Sequence, residues 1–129
     1  MTLPALAQNP SSLKTLAAAK ALTFGSAAAT YELKAADLVS ALLHEAAILV
    51  PEYEMKRDAL EPRPGQYDFT ALDALFGFAR QNGLSLRGHP LVWWHSNPPW
   101  LAPALAARRD EKLMTGHIET ILRRYPLAS

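Results

Sequence analysis

The chain has 129 residues, half of them apolar, which supports one hydrophobic core of ordinary domain size rather than two. Its 13 basic and 12 acidic side chains leave a formal charge of +1 and are spread along the chain, so there is no basic footprint for nucleic acid or an anionic membrane. The absence of cysteine excludes disulfide frameworks, thiolate zinc sites and cysteine nucleophiles.

Residues 1–10 carry two prolines and no periodicity and read as an N-terminal tail, with 11–129 as one unit behind it. The start lacks the basic and apolar regions of an export signal, and no run approaches the ~20 apolar residues of a membrane span. Ser11 or Ser12 can cap a short helix over 13–20, with Leu13 and Leu16 on one face. The run LTFGSAAA at 22–29 predicts a first buried strand, in which Gly25 and the small residues after it allow close backbone approach. Leu38, Leu42 and His44 or Glu45 recur at helical spacing over 37–45, and an apolar strand follows over 46–50, closed by Pro51. The next segment, 52–66, is charged and broken by Pro62, Pro64 and Gly65, which predicts a long loop directly after a strand.

A 3.6-residue period returns over 69–82 with Leu72, Leu75, Phe76 and Ala79 on one face. Thr70 can cap this helix, and Gly83 stands where a glycine ends one. Residues 84–89 predict a third strand, ended by Pro90. Pro98, Pro99 and Pro103 predict a further loop, and a last amphipathic helix runs over 110–124 with Leu113, His117, Ile118, Ile121 and Leu122 as its apolar stripe. Strands alternating with helices imply an α/β fold with a parallel sheet and right-handed crossovers. In such folds the chemistry sits in the loops at the C-terminal ends of the strands.

Two stretches fall in that place. Glu52, Glu54 and Lys56 follow the second strand, where two carboxylates and an ammonium can bond several hydroxyl groups of a polar ligand; the same residues also suit a solvated loop. His89 ends the third strand and Trp93 follows a short turn later. An imidazole beside an indole can hold a sugar ring, the indole packing on the flat apolar face and the imidazole bonding a hydroxyl, although both residues also suit a core. Trp94 and Trp100 read as packing residues, and His44 and His117 as ordinary helix residues. A metal site built from His89, His95, Glu52 and Glu54 lacks the HExxH arrangement and any i, i+4 helical spacing, so neither metal nor cofactor is expected. No GxSxG setting and no phosphate-binding glycine pattern is present.

LVPEYEMKRDALEPRPGQYDF resembles the T-x-E-N-x-M-K-W block and following E-P-x-x-G turn of glycoside hydrolase family ten, the endo-1,4-β-xylanases. RGHPLVWWHSNPPWL is similar to its R-G-H-T-L-V-W-H-x-Q-x-P-x-W block, and SLKTLAAAKALTFGSA to its opening helix and first strand. The match is collinear over nearly the whole chain. The resemblance implies a (β/α)8 TIM barrel that cleaves the β-1,4-xylan backbone with retention through two glutamates about 5 Å apart. It assigns Glu52 and Lys56 to the sugar on the non-reducing side of the cleaved bond, and His89 with Trp93 to the subsite where cleavage occurs. The expected partner is xylan or a xylo-oligosaccharide, and the resemblance suggests a secreted or periplasmic protein.

The departures are specific. Tyr53 stands where the family has asparagine, Arg57 where it has tryptophan, Trp94 where it has a second histidine, Ser96 where it has glutamine, and Ala21 where glycine is common. In the family the acid/base glutamate lies in a W-D-V-x-N-E block after strand four and the nucleophile in a T-E-x-D block after strand seven. Neither block is in this sequence, which ends where strand four is expected to begin, so both catalytic glutamates are expected to lie beyond it. A complete barrel takes about 250 residues, and the chain is expected to hold about the first three βα units. Such a piece leaves open sheet edges, which favour self-association. The alternative reading is a non-catalytic, truncated barrel fragment that binds glycan weakly or only self-associates.

Overall fold

The computed structural model describes residues 11–108 and 110–126. The proposed tail over 1–10 lies outside the described residues. The elements in chain order are α1 (Leu13–Ala18), β1 (Gly25–Ala28), a 3₁₀ turn (Glu32–Lys34), α2 (Ala36–Glu45), β2 (Ile48–Pro51), α3 (Arg57–Leu60), α4 (Thr70–Gln81), β3 (Ser85–Leu86), α5 (Leu101–Arg108) and α6 (Lys112–Arg124). The three strands form one parallel sheet in the order β1-β2-β3. Gly25 pairs with Ile48 through to Ala28 with Pro51, and Ile48 and Leu49 pair with Ser85 and Leu86.

Local chemistry sets the boundaries. The Ser12 hydroxyl accepts from the Thr15 N–H at 3.3 Å and caps α1. Asp68, rather than Thr70, satisfies the start of α4: its carboxylate accepts from the Thr70 N–H at 2.9 Å. Gly83 ends that helix at φ 67°, a left-handed conformation natural to glycine. Ala21 takes φ 55° after α1, in a region that costs an L-residue about 1 kcal/mol, which accounts for glycine being common there in the resembling family. A Cβ on Gly25 would lie 2.2 Å from Ile48 Cγ2 and 2.4 Å from the Ile48 carbonyl oxygen, so only glycine lets β1 approach β2 this closely.

Three expectations are corrected. The third strand is two residues long rather than the six of 84–89. The Glu52 N–H donates toward β1, to Ala28 O at 3.1 Å, while Leu49 O accepts from the Arg87 N–H at 2.9 Å on the β3 side. Successive residues alternate, so Pro51 faces β3 with no N–H to donate, and the ladder stops there. The loop over 52–66 contains α3, with Arg57 and Leu60 buried. The stretch after Pro98 is helical as α5 even though it contains Pro103, because a proline in the first turn forfeits only an N–H with no intrahelical partner.

The core is in two parts. Ala28, Leu42, Ala46, Leu49, Leu75, Ala79 and Leu84 join the sheet to α2 and α4. Met55, Leu60, Leu72 and Ile121 join the loop after β2 to α4 and α6. β1 is not the buried strand its composition predicts, since Ser26 and Ala27 are exposed and Leu22 and Phe24 beside it are 63% and 37% exposed. β1 lies at one edge of the sheet and β3 at the other, and among the described residues nothing pairs with their outer sides.

Candidate functional site

All three strands point the same way, so the segments leaving β2 and β3 emerge at one end of the sheet. Glu52 leaves β2 with its side chain exposed. Glu54 turns the other way and is 5% exposed. Its carboxylate accepts from the Thr30 N–H at 2.6 Å, the Thr30 hydroxyl at 2.9 Å and the Tyr53 N–H at 3.2 Å. It therefore secures the turn after β1 and leaves little capacity for a ligand, which corrects its standing beside Glu52 as a hydroxyl-binding carboxylate. The Lys56 ammonium lies 5.6 Å from the centre of the Tyr53 ring and 5.4 Å from that of Trp93, a cation held between two aromatic faces. This contact, with the Asp58 N–H donating to Ser96 O at 3.0 Å, joins the two loops.

On the β3 side the rings of His89 and Trp93 are 6.3 Å apart and inclined at 51°. His95 lies 5.4 Å from Trp93 and 3.6 Å from Trp94. The loop that carries them is fixed along its length. The Asn97 amide donates to Trp93 O at 2.9 Å, the Asp58 N–H donates to Ser96 O at 3.0 Å, and Pro98 is buried. Ser96 holds φ 52°, a left-handed conformation of the kind found where a loop is shaped for a ligand.

Lys56, His89 and Trp93 are thus brought together. Glu52 sits toward β1, where its charge, after that of Glu32, pushes the Tyr31 phenol up from its ordinary value. Trp100 packs as expected, its indole N–H donating to Glu61 O at 3.1 Å and its ring 5.2 Å from the Arg57 guanidinium. Trp94 does not pack, being 79% exposed. The expectation failed because an indole on a loop has no periodicity to say which way it faces. Among the described residues no group of three or more His, Asp or Glu side chains is placed to hold a metal ion.

Beneath this surface lies a network that the sequence reading passed over. Arg57 Nε donates to Glu61 Oε2 at 3.0 Å, and its other nitrogens reach Leu113 O and Met114 Sδ. His117 Nδ1 sits 3.0 Å from the same Glu61 oxygen and 3.2 Å from the Tyr67 hydroxyl. The second Glu61 oxygen accepts from the Gly65 N–H at 2.9 Å. His117 is thus no ordinary helix residue. Its place on the apolar stripe, four residues from both Leu113 and Ile121, was the available signal that it is buried.

Burial first, and then the Arg57 charge, hold the His117 imidazole below its ordinary value of 6.5, against the opposing pull of Glu61. A proton added at Nε2 would have no acceptor, since that atom is buried without a partner. The unfolded chain therefore takes up a proton on His117 near pH 6.5 and the folded chain only at lower pH. The folded state binds fewer protons in that window, so stability should fall as the pH drops through it, by up to about 1.4 kcal/mol per pH unit. Asp68 and Asp73, held low by the Thr70 backbone and by Arg124, titrate below 3.8 and act outside it. Urea unfolding at pH 7 and pH 5.5 checks this: wild type should lose stability and His117→Gln should lose much less.

Known proteins bear on this surface. The sequence model described as Glycosyl hydrolase family 10 matches residues 12–129. Endo-1,4-beta-xylanase A of Phanerodontia chrysosporium is 34% identical over 118 residues, covering 88% of this chain and 29% of that protein. Endo-1,4-beta-xylanase 2 of Claviceps purpurea is 33% identical over 104 residues, covering 81% and 32%. The solved structure of xylanase 10B from Thermotoga petrophila RKU-1 in complex with xylobiose superposes with a TM-score of 0.76 at 27% identity, covering 94% of this chain and 38% of that one. The chain thus spans about a third of the length of the relatives it matches.

Proposed function

The chain belongs to glycosyl hydrolase family 10, as the first part of a (β/α)8 barrel, and we propose that it supplies the glycone-side wall of a cleft for β-1,4-xylan. Glu52 and Lys56 bond the hydroxyls of the sugar on the non-reducing side. His89 and Trp93 line the subsite at the scissile bond, Trp93 taking the apolar face of the ring and His89 a hydroxyl. The observation that carries this reading is the Lys56 ammonium 5.4 Å over Trp93, which unites the two loops into one surface. The xylobiose bound by the Thermotoga petrophila relative supports the ligand class.

In the whole protein, hydrolysis with retention proceeds through two glutamates outside this sequence. One protonates the leaving oxygen, and the other forms and releases the glycosyl-enzyme. Calorimetric titration of the 129-residue chain with xylo-oligosaccharides tests the binding role. Wild type should give saturable binding, and Trp93→Ala should weaken it about tenfold, the upper end of an aromatic contact. A flat wild-type titration removes the proposal.

A second reading has its own support, since Leu16, Leu22, Phe24 and Leu38 are all exposed on the β1 side of the molecule. Apolar surface near an open sheet edge suits a non-catalytic barrel piece that self-associates. A flat titration together with a sedimentation mass that rises with concentration selects that reading.

A further inference from the structure

We propose that Trp94 is a second sugar-stacking platform, which takes the pyranose ring next to the one held at Trp93 and so makes the cleft read two consecutive residues of a β-1,4-linked pentose chain. The inference rests on the sugar-binding role of Trp93 and Lys56 and adds a residue and a length dependence to it.

Among the described residues Trp94 is the most exposed of the large apolar side chains, at 79%, against 37% for Trp93 next to it. Hydrophobicity alone would fold such a ring back onto the protein, and two features hold it out. Its ring centre is 3.6 Å from that of His95, which supports the indole from one side. The backbone on either side is anchored, by the Asn97 amide on Trp93 O and by the Asp58 N–H on Ser96 O. The indole is presented on a fixed loop, at little further cost in order when a ligand arrives.

The two indoles are not one flat shelf. Their centres are 6.4 Å apart and their planes meet at 73°. A single pyranose ring can lie flat on only one of them. Two successive rings meet both only if they are themselves turned relative to each other, as they are in a β-1,4-xylan chain, which winds as a threefold screw. A β-1,4-glucan ribbon keeps successive ring planes near parallel and fits this corner poorly. The flanking groups agree with a neutral hydroxylated ligand. Lys56 donates beside Trp93, and His89 and His95 can each donate or accept a hydrogen bond.

The test is a length series by calorimetry on the 129-residue chain, using xylose, xylobiose and cellobiose. Wild type should bind xylobiose more tightly than xylose and more tightly than cellobiose. Trp94→Ala should lower xylobiose affinity about fivefold, the size of one aromatic contact, with a smaller change for xylose. Trp94→Phe should recover most of the loss. Thermal unfolding controls for misfolding, since removing so exposed a ring should leave the midpoint unchanged. Equal xylose and xylobiose affinities in wild type, or a Trp94→Ala titration that matches wild type, overturns the second platform while leaving the Trp93 site intact. Wild type that binds no xylo-oligosaccharide overturns both.

Discussion

Glu61→Ala is expected to lower the unfolding free energy of the chain by about 3–5 kcal/mol, the cost of stripping one partner from a buried ion pair. Glu61 is 5% exposed and Arg57 6%. The glutamate serves three groups at once: Arg57 Nε, His117 Nδ1 and the Gly65 N–H. Removing it leaves a guanidinium buried against Leu113 O, Met114 and the Trp100 ring with no anion to balance it. It also unpins the turn at Gly65 and the contact between α3 and α6. A loss of this size is a large fraction of the ~5–15 kcal/mol that holds a typical domain together, so the variant should be largely unfolded at moderate urea. Replacing both partners, Arg57→Met with Glu61→Leu, should recover much of the loss, because the buried charge is then gone. A Glu61→Ala urea midpoint close to wild type would show the network to be structurally idle.

That network marks the limit of what the sequence made legible. The order of strands and helices, the glycine close approach at Gly25, the Ser12 cap and the Gly83 terminator follow from local rules, and the structure keeps them. The placement of Lys56, His89 and Trp93 was also legible, because a strand's C-terminal end fixes where the next residues emerge. What local pattern does not encode is which way a loop side chain turns. Glu52 and Glu54 are two residues apart in one charged stretch, yet Glu54 alone folds back to secure Thr30. Trp94 and Trp100 share one aromatic stretch, yet one is in solvent and the other stacks on Arg57. α3 and α5 were hidden for a related reason: charge and proline content read as loop, while Leu60 and Leu101 supply the buried contacts that stabilise each short helix. The shortness of β3 depended on the direction Pro51 faces, which needs the pairing register.

The second large effect concerns chemistry. Retaining hydrolysis needs two carboxyl groups about 5–5.5 Å apart on either side of the glycosidic bond, one of them a proton donor. The carboxylates near the proposed cleft are mostly committed elsewhere. Glu54 serves Thr30, Glu61 serves Arg57 and His117, Glu32 accepts from the Ala29 N–H, and Asp58 accepts from the Tyr53 hydroxyl. Glu52 alone stays exposed with no hydrogen bond to its carboxylate among the described residues, and a single carboxylate cannot act as both acid and nucleophile. The chain should therefore bind xylo-oligosaccharides without cutting them.

Reducing-end release from xylan by the purified 129-residue chain measures this directly. The expected result is no release above the protein-free blank, under conditions where calorimetry shows xylo-oligosaccharide bound. Turnover that is present in wild type and lost in Glu52→Gln would contradict it, and would place the catalytic apparatus within this chain.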